Sequence, residues 1–249
     1  MTSSRIELIG VPDLPLVGPG DDLAEIISRA LDGLRPSAGD IVVVAHKIVS
    51  KAEGRIVRLD DVEPSPRARD LGRELGKDAR LVEIILRESR RVVRTGGNAL
   101  IVETHHGFVC ANAGVDLSNV GLEQAALLPR DPDASAREIR AEIERRTGVA
   151  PGVIISDSFG RAWRLGTVDV AVGVAGLAPI KDERGTSDSY GYELRAAVCA
   201  VADELAAAAE LAMGKKDRIP VVLIKGYQGK GEDGSAKELL RPEAEDLFR

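Results

Sequence analysis

The sequence predicts a mixed α/β fold of the α+β kind, two-lobed and built around mixed sheets. Its 249 residues are 44% hydrophobic and 30% charged, which is enough apolar material for one large core or two joined ones. Segments typical of strands and of helices follow one another without the regular alternation of a TIM barrel. No internal repeat occurs, and the segments Pro64–Arg69 and Asp131–Ser135 are the two candidate lobe boundaries.

Short apolar runs bounded by turn residues predict the strands. Val153–Ile155 is a buried strand in this interpretation, and it ends at the polar residues Ser156-Asp157-Ser158. Ala99–Glu103 and Phe108–Ala111 are joined through His105-His106-Gly107, which indicates a hairpin. The remaining predicted strands are Arg5–Ile9, Asp40–Val44, Val168–Val174 and Pro220–Ile224.

Amphipathic patterns predict the helices. In Asp21–Leu34 the apolar residues lie on one helical face, and Asp22 followed by Glu25 resembles a capping box. An alanine-rich run predicts a long helix over Glu193–Met213. The charge runs on these helices are interpreted as solvated faces rather than binding patches. The other predicted helices are Pro66–Gly76, Arg80–Arg90 and Ser135–Thr147.

The composition excludes several classes of protein. A formal net charge of -6 and a pI near 5.3 argue against a nucleic-acid-binding protein, which usually carries a basic face. Cys110 and Cys199 are far apart, so neither a disulfide framework nor a cysteine metal site is expected. The N-terminus has no apolar signal-peptide core, and no run reaches the roughly 20 apolar residues of a membrane span. We therefore expect a cytoplasmic protein without a nucleic-acid or membrane partner.

Two segments that follow predicted strands carry candidate ligand-binding residues. Lys51 stands where its ammonium group can balance the charge of a phosphate, although an ordinary surface lysine is the alternative. Asp116 and Asn119 follow a second strand, with Gly114 permitting an unusual backbone angle. Their oxygens can face one hard cation, or they can form a plain Asx-rich turn.

Two further segments also suggest ligand binding. Asp157 and Ser158 place a carboxylate and a hydroxyl at the end of an apolar strand, which resembles a magnesium site, although a helix N-cap is the alternative. Gly226–Ser235 is rich in glycine and contains GxGxxG, but only 15 residues follow Gly234, too few for a dinucleotide-binding βαβ unit. The backbone N–H groups of this loop and Lys230 can still bind phosphate.

Several common catalytic signatures are absent from the sequence. It contains no GxxxxGK[ST] motif of P-loop NTPases, no GxSxG and no HExxH. The pair His105-His106 is isolated, so surface histidines at a hairpin tip are favoured over a metal site.

Seven short motifs cover nearly the whole chain in a fixed order. They are Leu14–Val17 with Gly20–Asp22, Ile48–Arg55, Asn112–Val120, Leu128–Asp133, Ile155–Arg161, Gly173–Gly176 and Asp188–Leu194. Each motif is weak alone, whereas the ordered set is specific. In this order the motifs resemble the coenzyme F420:L-glutamate ligase family.

The resemblance implies a GTP-dependent ligase that forms an amide bond between L-glutamate and the deazaflavin coenzyme precursor. It would add one or more γ-linked glutamates through an acyl phosphate and release GDP and phosphate. Two Mg²⁺ or Mn²⁺ ions and an intertwined homodimer are also implied, and a monovalent cation such as K⁺ is a further candidate cofactor. The alternatives are a ligase of the same fold acting on another carboxylate and a non-catalytic GTP-binding module. We expect one catalytic domain over residues 1–249, without the C-terminal flavin-binding domain of some bacterial relatives.

The resemblance also assigns roles by position. Asp116, Asp157 and Ser158 would hold metal, although the family pattern has threonine where this chain has Ser158. Lys51 joins the two aspartates as a catalytic residue, because the first step brings anions together and needs positive charge. The residues expected to contact GTP are Leu14, Pro15, Leu16, Val17, His46, Lys51 and Asn119, and those expected to close over it are Gly226, Tyr227, Gln228, Gly229, Lys230, Gly231 and Glu232.

Overall fold

A five-stranded mixed sheet lies at the centre of the computed structural model, which describes residues 5–227 and 233–247. The second and the last of its strands along the chain are continuous apolar runs, because helices and loops cover both of their faces. From one edge to the other the strands are β1 (Glu7–Gly10), β12 (Val221–Lys225), β2 (Ile41–Ala45), β8 (Gly152–Arg161) and β9 (Arg164–Ala175). β2 and β8 run parallel with Ala45 beside Ser156, whereas the other three pairs are antiparallel.

Four helices pack with this sheet around the larger of two hydrophobic cores. They are α1 (Leu23–Ala30), α2 (His46–Ala52), α5 (Pro132–Thr147) and α6 (Val201–Met213). α5 contacts α1, β8 and β9, while α6 contacts β1, β9 and β12. The side chain of Asp22 accepts a hydrogen bond from the backbone N–H of Glu25, which confirms the predicted start of α1.

A second hydrophobic core lies between Leu59 and Leu127 in the sequence and forms the smaller lobe. Its elements are β3 (Ile56–Arg58), α3 (Pro66–Leu75), α4 (Ala79–Arg87), β4 (Ser89–Gly96), β5 (Ala99–Thr104), β6 (Val109–Ala111) and β7 (Gln124–Ala126). β4, β5 and β6 form one antiparallel sheet, and β3 pairs with β7. The mixed α/β class and the hairpin of β5 and β6 are therefore confirmed. The lobe begins before the predicted boundary Pro64–Arg69, because Leu59 and Val62 already belong to its core.

The long alanine-rich helix predicted over Glu193–Met213 is wrong in its first part. The helix α6 begins at Val201, and before it β11 (Val198–Cys199) pairs antiparallel with β10 (Lys181–Asp182). Helix propensity favours a helix through Leu194 to Ala197, but strand pairing with a distant segment overrides that weak local preference.

Two other predicted boundaries are also wrong. β8 does not end at Ser156 to Ser158, because the strand continues to Arg161 as one arm of a hairpin with β9. A helix N-cap at Asp157 or Ser158 is thereby excluded. The predicted helix Arg80–Arg90 ends at Arg87, and Ser89 already pairs with Thr104 in the sheet of the smaller lobe.

No helix in the described ranges is long and apolar enough to cross a membrane. Cys110 and Cys199 are both free thiols, as the sequence predicts, and Cys110 is buried.

Candidate functional site

The candidate site lies where β2 ends and its parallel pairing with β8 stops. Ala45 is the last residue of β2, and α2 begins at the next residue, His46. Asp157 directly follows Ser156, the residue that pairs with Ala45. The carboxyl ends of parallel strands are a common position for ligand sites in α/β sheets. The topology therefore brings two candidate residues together that are more than a hundred positions apart in the sequence.

His46 and Asp157 form a buried pair. Nε2 of His46 lies 3.1 Å from Oδ1 of Asp157, and the two residues are 2% and 9% exposed. The approach lies off the N–H direction, so Nε2 has no hydrogen-bond partner within the described ranges, and the contact is electrostatic. Ser50, one turn further along α2, holds the helix in place by donating a 2.6 Å hydrogen bond to the carbonyl of Leu127. The imidazole thus faces Asp157, and its predicted contact with GTP stays a prediction.

Asp116 forms an ion pair with the next residue of the same helix, Lys47. Nζ of Lys47 lies 2.6 Å from Oδ2 of Asp116 and 2.7 Å from Oγ of Ser118. Oδ1 of Asp116 accepts a 2.7 Å hydrogen bond from the backbone N–H of Ser118. Burial raises the pKa of Asp116, but the hydrogen bonds from Lys47 and Ser118 outweigh it and hold the pKa below its usual value. Asp116 is therefore a carboxylate at neutral pH, as a metal ligand must be.

Lys51 lies within electrostatic range of two other cationic side chains, Lys47 and Arg218. Lys47 and Lys51 are four residues apart on α2 and therefore project from the same face of the helix. Burial, and then the charges of Lys47 and Arg218, lower the pKa of Lys51. A group of like charges is unfavourable alone and becomes favourable when a polyanion such as a triphosphate binds between them.

Ser158 lies in a different environment from Asp157. Its hydroxyl donates a 2.5 Å hydrogen bond to Oδ1 of Asp169 and accepts one of the same length from Nζ of Lys215. The hydroxyl of Ser156 donates to the other oxygen of Asp169 at 3.0 Å. Because Ser156 and Ser158 share this buried carboxylate, their side chains point to one face of β8. The side chain of Asp157 instead points to His46 on α2. The side chains of Asp157 and Ser158 therefore lie on opposite faces of β8.

The remaining predicted nucleotide contacts lie around α2 or outside the described ranges. The loop of Leu14, Pro15, Leu16 and Val17 reaches the end of α2, where the N–H of Gly20 donates to the carbonyl of Ala52. Leu16 is largely exposed, whereas Leu14 and Val17 pack against the larger core. Asn119 is exposed and has a positive φ of 58°, which asparagine tolerates better than most residues.

The glycine-rich loop is described only at its start. Gly226 has a φ of +84°, and a Cβ at this position would lie 2.1 Å from the carbonyl oxygen of Arg5, so only glycine fits. Tyr227 packs against the larger core, and burial raises its pKa. Gln228, Gly229, Lys230, Gly231 and Glu232 lie outside the described residues.

No cluster of three or more His, Cys, Asp or Glu side chains suited to a metal occurs within residues 5–227 and 233–247. Mg²⁺ needs only one or two protein carboxylates when phosphate oxygens and waters complete its six ligands. Both contacts of Asp157 fall on Oδ1, so Oδ2 is the atom with room for a cation. Asp116 already binds the cationic Lys47, and its oxygens suit a hard metal ion equally well. The donors present therefore fit a divalent ion bound together with a phosphate.

Three residues near the candidate site were not predicted from the sequence: Lys47, Arg218 and Asp169. Lys47 would have been found if α2 had been recognised, because Lys47 and Lys51 are four residues apart. Helix α2 has only seven residues, and Ala45 at its N-cap makes no side-chain cap, so its start carries no sequence signal. Asp169 pairs directly with Ser158 in the hairpin of β8 and β9. This pairing can be predicted only if β8 is known to continue to Arg161.

The fold and the site together place two carboxylates and two lysine side chains on or against one helix that follows a strand of the mixed sheet. The sequence model of the F420-0:gamma-glutamyl ligase family matches residues 12–226. The chain is 52% identical to the coenzyme F420:L-glutamate ligase of Methanothermobacter thermautotrophicus, over 98% of this chain and 99% of that protein. The chain is 43% identical to the enzyme of the same name from Methanocaldococcus jannaschii, over 98% of this chain and 97% of that protein. It is 45% identical to the enzyme of the same name from Methanopyrus kandleri, over 94% of this chain and 93% of that protein.

The chain therefore belongs to the F420-0:gamma-glutamyl ligase family, and it is a ligase. The match includes the segments that carry Lys51, Asp116 and Asp157, so the family assignment and the site concern the same part of the molecule.

Proposed function

We propose that the protein uses GTP to form an amide bond between L-glutamate and a deazaflavin acceptor, the coenzyme F420 precursor. The relatives named above are coenzyme F420:L-glutamate ligases, which supports this acceptor and this amino acid. One structural observation carries the proposal. The carboxylates of Asp116 and Asp157 contact two successive residues of α2, the helix that also carries Lys51.

The proposed reaction has two steps. A carboxylate oxygen of the acceptor attacks the γ-phosphorus of GTP, the bond to the β–γ bridging oxygen breaks, and GDP leaves. The nitrogen of glutamate then attacks the acyl carbon of the acyl phosphate. The bond from that carbon to the phosphate oxygen breaks, the nitrogen loses a proton, and inorganic phosphate leaves.

The first step brings an anionic acceptor to an anionic triphosphate, so the site must reduce their repulsion. Lys47 and Lys51 contribute positive charge from one face of α2. Asp116 and Asp157 would hold one or two Mg²⁺ or Mn²⁺ ions, which when bound neutralise charge on the phosphates. The imidazole of His46 lies 3.1 Å from the Asp157 carboxylate.

Oxygen-isotope transfer tests the acyl phosphate. An acceptor labelled with ¹⁸O in its carboxylate is incubated with GTP, glutamate and Mn²⁺, and the released phosphate is analysed by mass spectrometry. We expect one ¹⁸O atom in each released phosphate, because the attacking oxygen stays on phosphorus. Unlabelled phosphate would exclude this intermediate.

The assignment of the carboxylates has its own test. Asp116→Asn and Asp157→Asn keep the size of each side chain but remove its charge, and we expect turnover at saturating Mn²⁺ to fall by roughly 100-fold or more. Glu142→Gln, a partly buried position on α5 paired with Arg145, is a matched control that should keep full turnover. Near-normal turnover of either aspartate variant would contradict the assignment.

We also propose a homodimer. The hairpin tip of β8 and β9 and the loop between β10 and β11 expose large apolar side chains, which single-chain proteins usually bury. These side chains are Trp163, Leu165, Tyr190 and Tyr192. Sedimentation equilibrium measures the mass directly: about twice the 26.5 kDa of one chain supports the dimer, and a value near one chain refutes it.

A further inference from the structure

A cavity of about 440 Å³ lies beside the candidate site, between the larger and the smaller lobe. Its wall is formed by the tip of the β5–β6 hairpin, the start of α5 and the segment from Ala236 to Leu240. Its volume falls within the range of roughly 300–1,000 Å³ that is typical of small-molecule sites. The proposed nucleotide contacts that lie in the described ranges do not line it.

The wall of the cavity carries positive charge that the residues of the described ranges neutralise only in part. The side chains of Arg130 and Lys237 make no hydrogen bond or ion pair with any residue in the described ranges, and Arg90 approaches Glu103 only at 3.8 Å. Unpaired cations around a concave surface favour an anionic ligand.

Two acids also line the cavity, but both are engaged elsewhere. Asp133 is buried and accepts hydrogen bonds from the backbone N–H groups of Val174 and Ala236. Asp131 caps α5 by accepting from the N–H of Ala134. Their charges are therefore partly balanced by N–H groups, whereas those of Arg130 and Lys237 are not.

The same cavity has an aromatic and apolar side. The rings of His106 and Phe108 stack with their centroids 5.8 Å apart and their planes at 25°. The imidazole is fixed because its Nε2 lies 2.9 Å from the carbonyl oxygen of Pro129. Leu240 faces these rings from the C-terminal segment. A ligand with a flat ring and a separate anionic group would match this wall.

The cavity leads toward the carboxylates of the candidate site. Phe108 contacts Phe159 edge-to-face at 6.2 Å, and Phe159 is two residues from Asp157 on β8, a distance of about 7 Å along a strand.

We infer that this cavity binds the acceptor, with Arg130 and Lys237 contacting an anionic group of it and the His106–Phe108 stack contacting its ring. This inference rests on the proposed function and assigns the acceptor to a place in the structure. A ligand bound in this way directs its reacting carboxylate toward Asp157, where the γ-phosphate of the nucleotide is expected.

The test compares acceptor and nucleotide parameters in Arg130→Ala, Lys237→Ala and the double variant. Each lost charge-assisted contact should raise the KM for the acceptor about 10-fold, and the double variant about 100-fold, whereas the KM for GTP should change less than about threefold. Equilibrium dialysis of the acceptor without GTP should show the same increase in Kd. Arg137→Ala, an exposed arginine on α5 outside the cavity, is the matched control, and Arg130→Lys should restore part of the affinity.

The outcomes separate this inference from the proposed function. An unchanged acceptor KM and Kd in the double variant, with its urea-unfolding midpoint intact, overturns the inference. A raised KM for GTP with an unchanged acceptor KM also overturns it, because the cavity would then serve the nucleotide. If the wild-type protein binds the acceptor but forms no glutamyl product, and the variants lose that binding, the proposed reaction fails while the cavity assignment stands.

Discussion

The loss of the Asp133 carboxylate should destabilise the protein and open the acceptor cavity. Asp133 is 7% exposed and lies in the first turn of α5. Its Oδ1 accepts from the backbone N–H groups of Val174, at 2.8 Å, and Ala236, at 3.0 Å. Its Oδ2 accepts from the hydroxyl of Ser235 at 2.6 Å. One side chain thus joins α5, β9 and the C-terminal segment.

The cost of Asp133→Ala follows from these bonds. Two buried backbone N–H groups lose their acceptor, and each unsatisfied group costs roughly 1–3 kcal/mol. The neighbouring cavity can admit water to replace part of what is lost, so we expect about 3 kcal/mol in total. For a chain of this size, such a loss lowers Tm by about 6–12 °C.

Urea and thermal unfolding measure this effect, with Asp133→Asn as the matched control. The amide oxygen of asparagine can accept from both N–H groups, and its NH₂ can donate to Ser235, so we expect a loss of about 1 kcal/mol or less. Because Ala236, Lys237 and Leu240 line the cavity, the alanine variant should also raise the acceptor KM. A loss below about 1 kcal/mol for Asp133→Ala would refute the reasoning, since the two N–H groups could not then depend on this carboxylate.

Three further predictions concern charged side chains, two in the candidate site and one, Asp203, on α6. Since its pKa is lowered, Lys51 should be acetylated at lower pH than the exposed Lys237, and bound GTP should suppress the labelling. Mass spectrometry measures the acetylation of each lysine as a function of pH. Identical pH profiles for the two lysines would contradict the lowered pKa of Lys51. Asp169→Asn should raise the Mn²⁺ concentration at half-saturation about 10-fold without changing the acceptor KM, because Asp169 orients the hydroxyl of Ser158; an unchanged metal titration would remove that role. Burial raises the pKa of Asp203, so this carboxyl favours folding most below its unfolded pKa, and the contribution is lost as the pH rises toward the folded pKa. The stability of the wild type relative to Asp203→Asn should therefore fall with rising pH in that window in urea unfolding, and a flat or opposite trend contradicts this sign.

The larger part of the fold could be predicted because its signals are local. β2 and β12 are continuous runs of Ile, Val and Leu, and α1 has both an apolar face and a capping aspartate. The errors arise where a distant partner decides the structure. β11 interrupts an alanine-rich segment because it pairs with β10, and β8 continues through polar residues because β9 pairs with it.

The candidate site could be predicted in its acidic residues but not in its geometry. Asp116 and Asp157 each follow a short apolar run, a position that the sequence shows, although Asp157 itself lies within β8. Their pairing with Lys47 and His46 depends on α2, which has no cap signal, and on the parallel register of β2 and β8. The acceptor cavity could not be predicted at all, since Arg130, Lys237 and Phe108 come from three separate parts of the chain.

Mass spectrometry of the acceptor after incubation with the protein, GTP, L-glutamate and Mn²⁺ tests the central claim most directly. We expect a mass increase of one or more glutamyl residues that is absent without GTP and absent when Asp157→Asn replaces the wild type. An acceptor of unchanged mass, in the presence of a folded protein that binds GTP, would contradict the proposed function. A glutamyl product formed equally well without any nucleotide would contradict the proposed chemistry.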